Sequence, residues 1–315
     1  MKQAPGGLRS ETCLRHWTGL QRLFTLRGSR VADNSGMALV LTLLIVAVVT
    51  AMVVEFAYGV YVQTSELHNW QTAQQLSFAA KSAARLASKL VPDKPEDSYT
   101  KGFTELSQKS PITDLGGTIT LRIEDENGKF NLNSLGGLMG QASYNSFKRL
   151  LAALQLRPEI ADRILDWIDT DNIPNNGQFP ETERGAKNAK LDSVDELLLI
   201  PGIDRETYEK LQPYVTIYTD NRININSAGV PVLMSLSDSI TKDAAERIVK
   251  ERENMPFVKL TDLSRAIGNT SMDAAGTTTS GTAYRVVAVA QSGDIKRVVE
   301  CVIDTNGKVK YWKEI

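Results

Sequence analysis

Residues Gly36–Val54 read GMALVLTLLIVAVVTAMVV, an apolar run without a charged side chain that follows a basic leader. About 18 helical residues span roughly 27 Å, which is enough to cross the hydrocarbon core of a bilayer. Because basic residues resist translocation, we expect the leader to stay in the cytoplasm and everything beyond Glu55 to lie across the membrane. The leader carries the acidic residues Glu11 and Asp33 against the basic residues Lys2, Arg9, Arg15, Arg22, Arg27 and Arg30.

Three fates of the apolar run are open. A cleaved secretory signal has a shorter apolar core and a small-residue cleavage site, and the end of this core at Ala51–Phe56 lacks such a site. The run can also be a simple uncleaved anchor. Cleavage between Gly36 and Met37 is the third fate, and we favour it because it removes the charged leader while the whole apolar helix stays on the product.

Composition limits the classes of function. The chain has 315 residues, a formal net charge of −1 and an isoelectric point near 6.2, which gives no overall electrostatic case for nucleic acid or anionic lipid. Cys13 lies in the leader and Cys301 in the external part, so they cannot form a disulfide. The histidines His16 and His68 lie in the leader and the anchor helix. Since no histidine triad, zinc site or phosphate loop can be assembled in the external domain, we predict that the protein is not an enzyme.

Beyond the bilayer the helical pattern continues to about Leu90, with no proline before Pro92. The small residues of Ser77–Ser88 favour close packing of this outer half on a sheet. The alternating sequence predicts strands at Thr118–Ile123, Tyr284–Gln291, Ile295–Ile303 and Val309–Trp312, of which the last three form a meander. The segment Asp125–Gly128 predicts a hairpin turn into Lys129–Leu132.

A helical insertion lies between these strands and contains an internal repeat. Ile160–Leu165 is echoed by Ala244–Val249, and Leu191–Leu197 is echoed by Val258–Leu263. Helix starts are indicated by a capping box of Ser193 with Glu196 and by Thr241. The segment Gly268–Gly281 is rich in Thr, Ser, Gly and Ala, and we expect it to be a mobile loop.

Leu198–Ile203 and Ile223–Ala228 resemble the hairpins of helix-hairpin-helix DNA-binding modules, which hold a phosphate on backbone N–H groups. Here Asp204 follows the first hairpin, and its carboxylate would repel that phosphate. Residues 158–212 contain 13 acidic residues against 6 basic ones, whereas a DNA module should be locally basic. We therefore expect no nucleic-acid partner, although a membrane-anchored DNA receptor remains an alternative.

The acidic excess is concentrated in Asp166–Gly177, where carboxylates and amides cluster at the end of a helix, with Glu181 and Glu183 following. Ca²⁺ takes six to eight hard oxygens from flexible loops of this kind. The spacing is not that of an EF-hand, since Ile173 stands where the third alternating ligand would be. Solvated carboxylates in an ordinary turn remain the competing interpretation.

Taken together, these motifs resemble those of the K minor pseudopilins of type II secretion. The resemblance rests on the Gly36 cleavage site, on Leu41 at the position where prepilin-like proteins usually have Glu, on the D-W-I-D-x-D segment at Asp166–Asp171 and on the repeated insertion. It implies processing by the prepilin peptidase with a methylated amine at Met37. It also implies calcium ligands at Asp169, Asp171, Asn172 and Glu181, and an assembly helix with Leu41, Val54 and Trp70.

The resemblance also implies a function, partners and a location. The K subunit would cap the pseudopilus tip with the minor pseudopilins I and J, above the major pseudopilin filament, and take part in export of folded proteins. It would be a single-pass inner-membrane protein with a periplasmic C-terminal domain. A minor pilin of a type IV pilus is a further alternative.

The predicted fold class is α+β, with a pilin-like long N-terminal helix packed on a small antiparallel sheet. A large all-helical insertion is made of two SAM-like or helix-hairpin-helix-like units. The predicted segments are a leader at 1–36, a transmembrane and assembly helix at 37–91, a sheet domain at 92–133 and 270–315, and the insertion at 134–269.

Overall fold

A computed structural model describes residues 35–87, 89, 108–112, 116–137, 140–171, 173–174, 179, 185–268 and 276–315. Residues 1–34 of the leader, Asn172 and Glu181 lie outside these residues. The chain divides into two compact units, one up to Ser65 and the other from Glu66 to Ile315, and each is described by itself.

The elements follow one another in this order: α1 (Ser35–Ala87), β1 (Gln108–Ile112), β2 (Gly117–Asp125), β3 (Phe130–Asn131), α2 (Gly140–Ala153), α3 (Glu159–Ile168), α4 (Arg205–Leu211), β4 (Val215–Thr216), β5 (Ile223–Asn224), α5 (Val230–Ser235), α6 (Lys242–Asn254), α7 (Ser264–Ile267), β6 (Thr277–Thr278), β7 (Ala283–Ser292), β8 (Ile295–Asp304) and β9 (Val309–Glu314). Short 3-10 helices lie at Val194–Leu199 and Leu260–Leu263.

The first unit consists of the part of α1 that precedes Glu66. Its apolar side chains are exposed along the whole run that follows Gly36. The hydroxyls of Thr42, Thr50 and Thr64 each donate to a backbone carbonyl one turn earlier, so they add no unpaired donor to the helix surface. Within the described residues, α1 is long and apolar enough to cross a membrane. The prediction of a long N-terminal helix is confirmed.

The second unit contains an antiparallel sheet of five strands in the order β1-β2-β7-β8-β9. The part of α1 from Glu66 onward lies on one face of this sheet, because its small residues allow close approach. Ala80 and Ala84 belong to one core with Ile123, Val286 and Cys301. The predicted packing of helix on sheet and the predicted meander of the last three strands are both confirmed.

The helical insertion lies in the chain between β2 and β7. Its helices enclose a core of their own, which includes Phe147, Leu150, Leu151, Ile160, Ile164, Leu197, Val232, Ile248 and Phe257. Two pairs of very short parallel strands, β3 with β4 and β5 with β6, close the two halves of the insertion. The predicted N-cap at Thr241 and the capping box of Ser193 with Glu196 are present.

Two local predictions are wrong. Lys129–Leu132 does not return along β2 as a hairpin. Instead, Asp125–Gly128 forms a buried 3-10 turn and β3 pairs with β4, more than eighty residues away in the chain. The predicted mobile loop Gly268–Gly281 contains the buried strand Thr277–Thr278, which pairs with β5, while residues 269–275 lie outside the described part of the chain.

Candidate functional site

A buried polar turn joins the sheet to the helical insertion. The Asp125 carboxylate, at the end of β2, accepts hydrogen bonds from the Asn127 backbone N–H at 2.8 Å, the Asn224 side-chain amide at 2.6 Å and the Ser227 hydroxyl at 2.9 Å. Burial raises the pKa of Asp125 to about 6, and the three hydrogen bonds only partly oppose this effect. A Cβ at Gly281 would lie 2.5 Å from the Asp125 carboxylate, so only glycine fits there.

Glu126 is the second acid of this turn and is fully buried. Lys129 lies 2.6 Å and Arg285 2.7 Å from its carboxylate, and the Thr216 hydroxyl donates to the other oxygen. Burial alone would raise the pKa of Glu126, but the charges of Lys129 and Arg285 outweigh burial and lower it. Glu126 is therefore a charged buried acid held by two cations.

The two halves of the insertion begin with the same motif. Phe130–Ser134 reads FNLNS, and Ile223–Ser227 reads ININS. In both copies the first asparagine accepts from the backbone N–H of the second, at 2.9 Å for Asn131 and 3.0 Å for Asn224. The same local turn therefore opens each half.

The second asparagine of each motif makes a matching long-range contact. Asn133 exchanges two hydrogen bonds with the backbone of Leu191, at 3.0 and 2.8 Å. Asn226 exchanges two with the backbone of Phe257, both at 2.9 Å. The repeat thus extends beyond the helices to the strand that precedes them.

The hairpins that end the two halves also correspond. Arg163 donates to the carbonyl oxygen of Pro201 at 2.8 Å, and Arg247 donates to that of Ala266 at 3.2 Å. Each contact lies beside a glycine with positive φ, +88° at Gly202 and +66° at Gly268. The glycine of the second half is Gly268.

The first hairpin has geometry that opposes phosphate binding. Asp204 is the N-cap of α4, and its carboxylate accepts from the Thr207 backbone N–H at 2.8 Å. A carboxylate thus occupies the helix terminus at which a phosphate would bind. Arg157 and Arg163 point their guanidinium groups to the carbonyl oxygens of Gly202 and Pro201. This arrangement weighs against DNA binding.

The acidic loop, residues 169–190, is the main difference between the two halves. It separates α3 from Leu191 in the first half, whereas only Met255 and Pro256 separate α6 from Phe257 in the second. The fold of one half is complete without such a loop. The acidic loop is therefore not required for the helical fold of a half.

The described part of the acidic loop is anchored at several points. The Asp169 N–H donates to Leu165 O at 2.9 Å and ends α3, while the Asn188 N–H donates to Trp167 O at 3.1 Å. Asp171 accepts from the Ile173 N–H at 2.9 Å through one carboxylate oxygen. Among the described residues no three His, Cys, Asp or Glu side chains come together as a metal site. Of the predicted ligands only Asp169 and Asp171 are described.

Comparison with known proteins shows which family this chain is similar to. Two models of one family, described as Type II secretion system (T2SS), protein K, match residues 128–220 and 223–282. The Type II secretion system protein K of Pseudomonas aeruginosa is 29% identical over 88% of the chain and 91% of that protein. Its counterpart from Aeromonas hydrophila is 27% identical over 70% of the chain and 76% of that protein. The chain is similar to the type II secretion system protein K family.

A chain in a solved crystal structure shares the fold of this protein. The crystal structure of the GspK-GspI-GspJ complex from enterotoxigenic Escherichia coli contains a chain that matches with a TM-score of 0.62 and 18% identity. The match covers 80% of this chain and 99% of that chain. The family matches and the shared fold together support a role as a minor pseudopilin, a component of secretion machinery.

The other predicted site residues lie in α1. Gly36 and Met37 stand in its first turn, and Leu41 and Val54 are exposed farther along the first unit. Trp70 lies in the second unit with 61% of its surface exposed. None of these side chains is part of the protein core, which is compatible with the processing and assembly roles predicted for them.

The sequence did not identify the residues of the buried turn as a site. Asp125–Gly128 carries a strong hairpin signal, and nothing local distinguishes it from a surface turn. The repeated asparagine motif at Asn131 and Asn224 was the available signal, because two copies of one polar pattern indicate a shared structural role.

Proposed function

We propose that this chain caps the tip of the type II secretion pseudopilus together with the minor pseudopilins I and J. The observation that carries this proposal is the fold shared with a chain of the GspK-GspI-GspJ complex over almost the whole of that chain. In this role the subunit assembles with others and takes part in export of folded proteins, without catalytic turnover.

The part of α1 in the second unit offers a surface for such partners. Its small residues face the sheet, whereas Leu67, Trp70, Phe78 and Leu86 are exposed on the remainder of the helix. Phe78 exposes 67% of its surface. Exposed aromatic residues of this size are the usual anchors of protein interfaces, and a helix of a partner pseudopilin would cover them.

The beginning of α1 would serve as anchor and processing site. Cleavage by the prepilin peptidase between Gly36 and Met37 would leave a new, methylated amine on an apolar helix in the inner membrane. The basic leader would lie on the cytoplasmic side of the membrane, and the second unit would lie in the periplasm. Leu41 cannot supply a carboxylate to another subunit's amine, which suits a subunit placed at the end of the major pseudopilin filament.

Calcium would belong to the acidic loop. Asp169 and Asp171 offer the hard oxygens that Ca²⁺ prefers, and Asp171 uses only one oxygen in its local turn. Asn172 and Glu181 would complete the set. The bound ion would supply positive charge that offsets the crowded carboxylates, and the chain's own part is to bring those oxygens to one loop.

Co-purification tests the proposed assembly. The full chain would be expressed with the I and J pseudopilins of the same organism and extracted in mild detergent. We expect the three proteins to purify together, and we expect Trp70→Asp with Phe78→Asp to remove I and J from the chain. Val309→Asp, on the exposed strand β9, is the matched control. Failure of the native chain to retain I and J, or their retention by the double variant, would contradict the proposal.

A further inference from the structure

The apolar surface of α1 continues beyond the run that ends at Val54. Glu55 alone interrupts it, and the next charged residue of the helix is Glu66. The helix is unbroken here, so Met37–Val62 forms one rod of roughly 39 Å, whereas the hydrocarbon core of a bilayer is about 30 Å thick. The length of the apolar surface therefore does not by itself determine how deep the helix lies in the membrane.

Aromatic side chains are absent from Met37–Val54 and begin immediately after Glu55. Phe56, Tyr58 and Tyr61 expose 74%, 69% and 71% of their surfaces in the first unit. Tyrosine is enriched at membrane–water interfaces, because its ring lies among apolar groups while its hydroxyl reaches water. The change from aliphatic to aromatic side chains therefore indicates where the hydrocarbon core ends.

Distances along the helix place the same rings at this boundary. The amine that the proposed cleavage creates at Met37 is charged and stays at the inner surface of the membrane. Counted from there, a core of about 30 Å ends after about 20 residues, near Phe56. Tyr58 and Tyr61 then lie roughly 2 to 6 Å beyond the core, within a headgroup layer about 5 to 7 Å deep. Glu55 lies at the boundary itself, about 27 Å from Met37.

The directions of the rings favour lipid over a partner helix as their surroundings. At about 100° of rotation per residue, Phe56 and Tyr58 point to nearly opposite sides of α1. A second helix contacts one stripe of side chains and would leave the ring on the far side uncovered. Lipid headgroups surround a membrane helix on every side, so they can contact all three rings at once.

We propose that Phe56, Tyr58 and Tyr61 form an aromatic belt in the phospholipid headgroup layer at the outer surface of the membrane, and that Glu55 limits the depth of the helix. The inference rests on the membrane span and orientation proposed above. Movement toward the cytoplasm would draw the Glu55 carboxylate into hydrocarbon, which is unfavourable. Movement in the other direction would draw the Met37 amine into it. The two charges thus fix the depth at which the subunit is held before assembly.

Photo-cross-linking identifies what surrounds the rings. Benzoylphenylalanine would replace Tyr58 or Tyr61 in the full chain, in cell membranes that also contain the I and J pseudopilins. We expect phospholipid adducts at both positions by mass spectrometry, and the same adducts when I and J are absent. Adducts with protein in place of lipid would overturn the belt and assign the rings to a partner helix.

The same probe in place of Val48, in the middle of the apolar run, is the matched control. Lipid adducts at Val48 but none at Tyr58 and Tyr61 would overturn the belt and leave the membrane span intact. If Val48 also forms no lipid adduct, the proposed span fails and the belt fails with it. The failure of this inference is therefore distinguishable from the failure of the proposed anchor.

Maleimide labelling tests the role of Glu55. Val60→Cys introduces a thiol that a membrane-impermeant maleimide can reach from the outer side of spheroplasts, while Cys301 is buried and Cys13 belongs to the leader. We expect Glu55→Leu to slow this labelling by about 3- to 10-fold, because the apolar surface can then sink into the core. Glu66→Leu, at the next acid of the helix, should leave the rate unchanged. An unchanged rate in Glu55→Leu, or an equal loss in both variants, would overturn the depth role of Glu55.

Discussion

The side-chain amide of Asn224 donates to the carboxylate of Asp125 across 2.6 Å, and this bond connects the end of β2 with the start of the second half of the insertion. The two residues are 99 positions apart. Both are almost completely buried, so the bond forms where water cannot replace it. The sheet and the insertion are thus held together by specific polar contacts.

Stability should depend on pH through Asp125. Burial raises the pKa of Asp125 in the folded protein from the ordinary aspartate value of 3.8 to about 6. The folded state therefore binds this proton more tightly than the unfolded state. The free energy of unfolding should therefore rise as pH falls from 7.5 to 5, by about 1 to 2 kcal/mol from this group. Because the pKa of Glu126 is lowered in the fold, the stability that its charged form contributes is lost only at a lower pH.

Denaturant unfolding of the full chain in detergent at pH 7.5 and pH 5 measures this effect. Asp125→Asn should lower stability at pH 5, because an amide cannot replace the carboxyl with all of its donors, and should flatten the pH dependence. Asp294→Asn, in the exposed turn between β7 and β8, should leave the slope unchanged. If the free energy of unfolding of Asp125→Asn changed with pH as much as that of the wild type, the pH dependence could not come from Asp125.

Two glycines with positive φ separate backbone cost from steric cost. Among the residues that the structure describes, a Cβ at Gly268 meets no atom within 4 Å, so Gly268→Ala should destabilise the protein by about 1 kcal/mol through its backbone conformation. Gly202→Ala would also place a Cβ 2.7 Å from Arg163, which should add about 1 to 3 kcal/mol. Thermal or denaturant unfolding of the two variants checks the order. Equal losses would show that Arg163 moves aside freely.

Processing should occur between Gly36 and Met37. Amino-terminal sequencing of the membrane-extracted protein should begin at Met37, with a methyl group on its amine by mass spectrometry. A bulky substitution, Gly36→Leu, should leave the leader attached, whereas Gly59→Ala in the same helix should be processed normally. Any other mature terminus would refute this site.

Calcium should stabilise the chain through the acidic loop. We expect the thermal midpoint to rise with calcium and to fall with chelator in the wild type, because binding to the folded state alone favours it. The double variant Asp169→Ala/Asp171→Ala should lose this response. The control pair Asp243→Ala/Asp294→Ala removes the same charge elsewhere and should keep it. An identical response in both pairs would rule out the proposed ligands.

The parts predicted from the sequence are those with a strong local signal. The helix α1 has a long proline-free pattern, and the meander β7-β8-β9 has alternation with glycine turns at Gly293 and Gly307. In the turn at Gly307 the glycine has positive φ, and the Asp304 carboxylate accepts from the Asn306 and Lys308 N–H groups.

The parts that could not be predicted depend on distant partners. The strands β3 to β6 have two residues each, too few for any periodic pattern. Asp125 becomes buried only because Asn224 and Ser227 come to it from the far side of the insertion. The proposed calcium ligands are a different case, because acidic residues that bind a metal cannot be told from solvated ones by their sequence alone.

The bonds from Asn133 to Leu191 and from Asp169 N–H to Leu165 lie at the two ends of the acidic loop. Both ends are therefore fixed by the scaffold and not by the loop's own sequence. Changes in length or charge between these points leave the helices on either side where they are. The acidic loop is thus a segment in which the chemistry of this chain can be altered while the helical scaffold keeps its fold.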